Sequence, residues 1–197
     1  IIFLITVFTN ALDFSDTIYY MEYLDILNEK GEKTGEVKSY EEAHKNGLIH
    51  RAVHVWIVNQ KGELLIQKRE KNRVAYPGYW DISAAGHVST GKTSLEAAQQ
   101  EVREELGLTL IASDFQYLFT LEEHIVINNG TYVNNEFQDV YLVKKEVSFS
   151  EINLVDGEVE EVKFIPINAF EKWAAGKEEL MVPHEEEYQR LFEYIKV

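Results

Sequence analysis

Apolar residues fall at every second position in some stretches of the chain and at every third or fourth position in others. Alternation or short apolar runs predict half-buried strands at 23–27, 51–58, 63–69, 80–84, 115–121, 137–143 and 159–167. Turns are expected at 28–31, 59–62 and 128–130, and a polar loop at 72–79 carries Pro77 and Gly78. Ser39 is placed to cap a short helix ending near Asn46 and Gly47; Asn168 caps a second, through Ala175, that Gly176 closes. Pro183 precedes a final amphipathic helix to Ile195 that carries Leu191 and Tyr194. The strongest helical pattern lies at 93–106. There Thr93 and Glu96 form a capping box ahead of Leu95, Ala98, Val102 and Leu106, and Gly107 supplies the stop. Strands mixed with a few helices imply an α/β fold whose sheet is covered on both sides.

No repeat, low-complexity tract or linker interrupts 21–197, which is expected to form a single domain. Residues 1–20 read as a leader or extension without chemistry of its own, and Met21 is the expected natural start. Their apolar run is too short to span a bilayer and has no basic flank.

The helix at 93–106 is an acid holder. Glu101, Glu104 and Glu105 stand at i, i+3 and i+4, so three carboxylates share one face and repel unless cations join them. Oxygen clusters of this kind suit Mg²⁺ or Mn²⁺, whereas glutamates on a helix of an acidic chain more often simply meet solvent. The loop between Gly86 and Gly91, which delivers the chain straight into the capped N-terminus, favours the first reading.

Composition narrows the partners. The formal charge is −15, from 34 acidic against 19 basic residues in 197, which disfavours a nucleic-acid polymer or an anionic membrane surface but not a small phosphorylated substrate screened by metal. With no cysteine, disulfides, zinc thiolates and thiol nucleophiles are excluded.

The stretch from Gly86 to Leu108 resembles the box of the Nudix (MutT-like) hydrolases, G-x5-E-x7-R-E-U-x-E-E-x-G-U with U apolar. Gly86, Glu101, Val102, Glu104, Glu105, Gly107 and Leu108 fall in register, while Lys92 stands where the family has its first glutamate and Gln100 where it has arginine. The resemblance implies a Nudix α/β/α sandwich with a central mixed sheet. It also implies Glu101, Glu104 and Glu105 as metal ligands and catalytic groups, with Mg²⁺ or Mn²⁺ as cofactor. Activity reduced by the changes at Lys92 and Gln100 is expected, with the Lys92 charge partly replacing the missing arginine.

Within that family the chain is similar to the isopentenyl-diphosphate isomerase branch, through Thr34-Gly35, His50, the run from Pro77 to Trp80, Ser83 and Gly86-His87. In that branch a cysteine before the Gly-His pair moves the substrate proton; Ala85 occupies its place here. The branch also implies a second metal site at His50, His87 and Glu136. His44 lies one residue out of register, a shift that turns a helical side chain by about 100° and is expected to take it out of the site. Asn134 replaces a glutamate, so the branch's full metal site is expected to be eroded. Arg69 and Arg73 match basic positions that hold diphosphate, and Gly86, His87 and Glu136 are further substrate contacts. The bland alternative for the histidines is hydrogen bonding near the core, and it is the expected role of His54, His124 and His184. The reading carried forward is a cytoplasmic hydrolase of a phosphoanhydride in a nucleoside diphosphate derivative or related small diphosphate. Its base is Glu105, then Glu136, with Glu160 and Glu161 also in reach. An isomerase and a weakened diphosphate-binding module remain as alternatives, and a homodimer stays open.

Overall fold

The computed structural model describes residues 21–154, 157–176 and 180–195, so the leader expected at 1–20 lies outside the described residues. The chain opens with an antiparallel ribbon, β1 (Tyr23–Leu27) and β2 (Lys33–Ser39), followed by the short helix α1 (Tyr40–Asn46). The main sheet is built on β3 (His50–Val58), β4 (Glu63–Arg69), β5 (Trp80–Asp81), β6 (Ala84–His87), β7 (Phe115–Ile127), β8 (Tyr132–Lys144) and β9 (Val159–Pro166). Its order is β5-β4-β3-β8-β7, with β6 pairing β3 and β9 pairing β4. The β3–β8 pairing is parallel and the others antiparallel, so the sheet is mixed as expected.

Residues along β3 alternate between the two faces. Val53, Val55 and Ile57 pack against Ala97, Ala98, Val102 and Leu106 of α2 (Ser94–Leu106), all fully or almost fully buried. Trp56 and Val58 join the opposite core, where Phe170 of α3 (Ile167–Gly176) and Tyr188 and Leu191 of α4 (Glu185–Ile195) close the other side. The result is the α/β/α sandwich. One edge of β3 serves two strands: β4 pairs with it at Ile57 and Val58, β6 at 52–55. The strands β4 and β6 therefore diverge, leaving a wedge in the sheet.

The strand expected at 80–84 is two short strands, because the Ser83 side chain turns inward to accept from the Ile57 amide at 2.8 Å and donate to the Leu65 carbonyl at 2.5 Å. The strand β2 was not anticipated: its sequence KTGEVKS is polar and its residues are largely exposed, so it carries no apolar period. Helix α3 begins at Ile167, which places Asn168 inside it rather than at its cap. Gly107 ends α2 with φ 69°, and a Cβ there would come within 2.7 Å of the Asn153 carbonyl oxygen.

Candidate active site

The capping box at the head of α2 is present: the Thr93 hydroxyl accepts from the Glu96 amide and the Glu96 carboxylate accepts from the Thr93 amide at 2.8 Å. It fixes the phase of the helix, and with it the direction of the three box glutamates. Gly86 on β6 faces Glu101 so closely that a Cβ would overlap its carboxylate. The first glycine of the box is thus a space requirement. Glu105, 3% exposed, fills the wedge, where its Oε2 accepts from Gln67 Nε2 on β4 and from the Ala85 amide on β6, both at 3.0 Å. Burial pushes Glu105 up to about 8, although the Ala85 amide opposes it. Burial, with Glu105 and Glu104 alongside, pushes Glu101 up to about 9. Carboxyls desolvated together with only neutral donors as partners fit a divalent cation, which would let both ionise.

Glu104 is exposed and receives Gln100 Nε2 on both oxygens, at 2.9 and 3.0 Å. The other end of that amide, Gln100 Oε1, accepts from Lys92 Nζ. The two departures from the family box thus touch each other, and the ammonium reaches Glu104 through the glutamine.

A cleft of about 1400 Å³ opens beside the box, lined by Glu101, Glu104, Arg69, Arg73, His87 and Glu136 among others. Arg69 is braced there, its Nη1 on Asp81 at 2.8 Å and its Nε on the Ala75 carbonyl at 2.9 Å, while Arg73 Nη1 lies 3.3 Å from Glu158. Glu160 is taken up by Lys68 and Lys71, each at 3.4 Å.

Deeper in the cleft His44, His50, His87 and Glu136 place one ligand atom each within 4.8 Å of one another. The parallel register sets His50 directly opposite Glu136. His44 corrects the expectation that its offset removes it from the site. Ser39 and Gly47 cap α1 so that Ala43 and His44 are its buried pair, and sequence register against a relative says nothing of that helix's rotation. Its Nε2 lies 3.1 Å from Asn134 Oδ1, at the position expected to be lost. His87 Nε2 is 3.1 Å from Glu136 Oε1; His50 Nε2 is 3.3 Å from the same oxygen, fully buried and without a hydrogen bond. That unmade bond fits a metal-binding role. Burial lowers His44 to about 4, which keeps it neutral and able to ligate. Burial works against charge on Glu136 too, but His50 and His87 hold its carboxyl well below the usual range.

Sequence reasoning missed a second buried group. His54 and His184, expected to be structural, converge with Glu187 in the same cleft region. Only the position of His54 on the strand of His50 pointed to it. His124 is exposed on β7, with Nδ1 against Asn135 Oδ1.

The family model for the NUDIX domain matches residues 48–184, and the chain belongs to the Nudix hydrolase family. An uncharacterised Nudix hydrolase of Listeria innocua is 39% identical over 145 residues, 74% of this chain and 80% of that protein. Nudix hydrolase 3 of Arabidopsis thaliana is 41% identical over 180 residues; the match covers 89% of this chain but 23% of the plant protein. Isopentenyl-diphosphate Delta-isomerase of Escherichia coli matches at 35% over 112 residues, 54% of this chain and 62% of the enzyme. A crystal structure from Deinococcus radiodurans has the same fold, with TM-score 0.67 and 23% identity over 86% of this chain and 98% of that one.

Proposed function

We propose that this chain hydrolyses a phosphoanhydride bond in a nucleoside diphosphate derivative or a related small diphosphate, using Mg²⁺ or Mn²⁺ held by Glu101, Glu104 and Glu105. The observation that carries this reading is the trio itself: Glu101 against Gly86, Glu105 in the wedge and Glu104 at the cleft edge, on one capped helix. Bound there, the ion supplies neutralisation of the diphosphate and an acidified water. Arg69, pre-positioned by Asp81, contributes charge toward the phosphates, with Arg73 nearer the mouth. Glu105 is the first candidate base, since its buried carboxylate would be ionised beside the bound cation, and Glu136 is the second. The His44, His50, His87 and Glu136 group is a second divalent site or a phosphate contact. A cytoplasmic location and a small phosphorylated substrate, rather than nucleic acid or membrane, belong to the same reading; among the described residues no helix is long and apolar enough to cross a membrane.

The histidine group also favours a second reading, an isomerase of the isopentenyl-diphosphate type. Against it stand Ala85 in place of the acid and the absence of any cysteine. A turnover screen with Mg²⁺ and Mn²⁺ over nucleoside diphosphate sugars, ADP-ribose, dinucleoside polyphosphates, nucleoside triphosphates and isopentenyl diphosphate separates the readings. Phosphate release abolished in Glu104→Gln and Glu105→Gln is the expected outcome. A moved double bond with the diphosphate retained indicates the isomerase, and tight binding without turnover indicates a binding module.

A further inference from the structure

The face of β3 that carries His50 into the first histidine group carries Ala52, His54 and Trp56 further along. His54 therefore reaches a second cluster on the same sheet face, and Gln138 stands between the two, donating to Glu136 at 3.0 Å and to Glu123 at 2.8 Å. Five elements feed that second cluster. His54 comes from β3, Asp81 from β5, Glu123 from β7, Glu187 from α4, and His184 from the turn just before α4. His54 Nδ1 lies 2.6 Å from Glu187 Oε2, and Trp56 Nε1 donates to the other oxygen of that carboxylate, also at 2.6 Å. His184 sits between Asp81, at 3.3 Å from Nε2, and Glu123, at 3.6 Å from Nδ1, while Arg69 holds the second oxygen of Asp81. The two imidazoles meet edge to face with ring centres 5.0 Å apart.

This is an unusual investment for a merely structural corner. Three carboxylates and one guanidinium leave an excess of two negative charges in a largely desolvated place, and hydrogen bonds among themselves do not remove it. Either two protons, one on each histidine, or one dication closes the balance. One ligand atom from each of His54, His184 and Glu187 lies within 4.8 Å of the others, with His54 and His184 lining the open cleft, so an ion has a way in. Two imidazoles and a carboxylate are the donor set of Zn²⁺, Mn²⁺ or Fe²⁺, and the outer partners that such ligands need are in place. Trp56 orients Glu187, and once an ion takes one ring nitrogen of His184 the other keeps a carboxylate partner, Asp81 at Nε2 or Glu123 at Nδ1.

We propose that His54, His184 and Glu187 form a further divalent transition-metal site in the cleft, separate from both the box glutamates and the His44, His50, His87 and Glu136 group. The ion takes the place of two protons, the one between His54 and Glu187 and one on a ring nitrogen of His184, both released to solvent, and Trp56 keeps the remaining carboxylate oxygen. The site stands or falls without reference to the substrate or to hydrolysis.

The test is Co²⁺ uptake by the full chain after chelator stripping, read as visible absorption and as bound metal per chain. Wild type, His54→Gln with His184→Gln, and His50→Gln with His87→Gln are compared, with thermal melts to establish folding. The expected result is that the first double variant loses one histidine-type Co²⁺ equivalent that the second double variant keeps. Equal uptake by wild type and the first double variant overturns the site and leaves a proton-closed ion-pair network pinning α4 to the sheet. Should that variant fail to fold, imidazole ¹⁵N spectra of the wild type with added Zn²⁺ decide: shifted ring nitrogens at both His54 and His184 support the site, unshifted ones overturn it.

Discussion

The contact between Lys92, Gln100 and Glu104 makes a quantitative prediction about the two positions at which the box departs from its family. Gln100 forks onto both oxygens of Glu104 and is itself held by Lys92, so removing the lysine charge weakens the amide's polarisation and loosens Glu104. Lys92→Met keeps the aliphatic stem and deletes the charge. Lys92 and Gln100 are half-buried and Glu104 is exposed, so the contribution lies toward the lower end of charge-assisted hydrogen bonds, about 1 kcal/mol, or roughly a fivefold weaker apparent Mg²⁺ affinity. Gln100→Arg brings a guanidinium directly onto Glu104 and makes the lysine redundant. The Lys92→Met effect should then shrink to nearly nothing in the Gln100→Arg background, a coupling of about 1 kcal/mol against the roughly 0.3–0.5 kcal/mol within which independent sites add. The assay is the Mg²⁺ dependence of turnover, or of melting temperature where no substrate is in hand, across the four proteins. A fivefold loss of equal size in both backgrounds refutes the relay.

Gly86→Ala drives a Cβ into the Glu101 carboxylate, so the Mg²⁺-induced rise in melting temperature should disappear while the fold survives, as checked by calorimetry and far-UV circular dichroism. Thr93→Ala removes the cap of α2 and should cost about 1 kcal/mol in urea unfolding; an unchanged midpoint would show that tertiary packing alone sets the helix start. Glu101 and Glu105 have folded-state pKa values of about 9 and 8, raised above their unfolded values. Their contribution to stability is therefore full below the ordinary carboxylate range and lost as pH rises through those values. Metal-free protein should melt progressively lower from pH 6 to 9, and the stabilisation by Mg²⁺ should grow over the same window; a metal effect independent of pH contradicts this. Glu105→Gln should abolish turnover, and full activity in that variant removes it as the base.

How far the sequence could be read depended on how local each feature was. Helix α2 was legible because its cap, apolar stripe and stop all lie within one stretch, and the three glutamates inherit their common face from it. Strand β2 was illegible because a polar ribbon held by backbone bonds to β1 has no side-chain period to display. The inward turn of His44 depends on caps at both ends of a seven-residue helix, which a register comparison does not weigh. His54 and His184 were read as structural and Glu187 was not singled out, because their meeting is made by α4 docking on the sheet, over a separation no motif spans.

The parallel pairing of β3 with β8 joins segments from opposite halves of the chain, and it alone brings His50 to Glu136. Contacts of that range form late and slowly, since loop closure must be paid for before they reward it. An unfinished chain consequently exposes scattered histidines and glutamates with little grip on any ion. If the His44, His50, His87 and Glu136 group takes an ion as proposed, capture should follow strand closure in time, and the kinetics of uptake after dilution from denaturant would become a clock for the last step of folding.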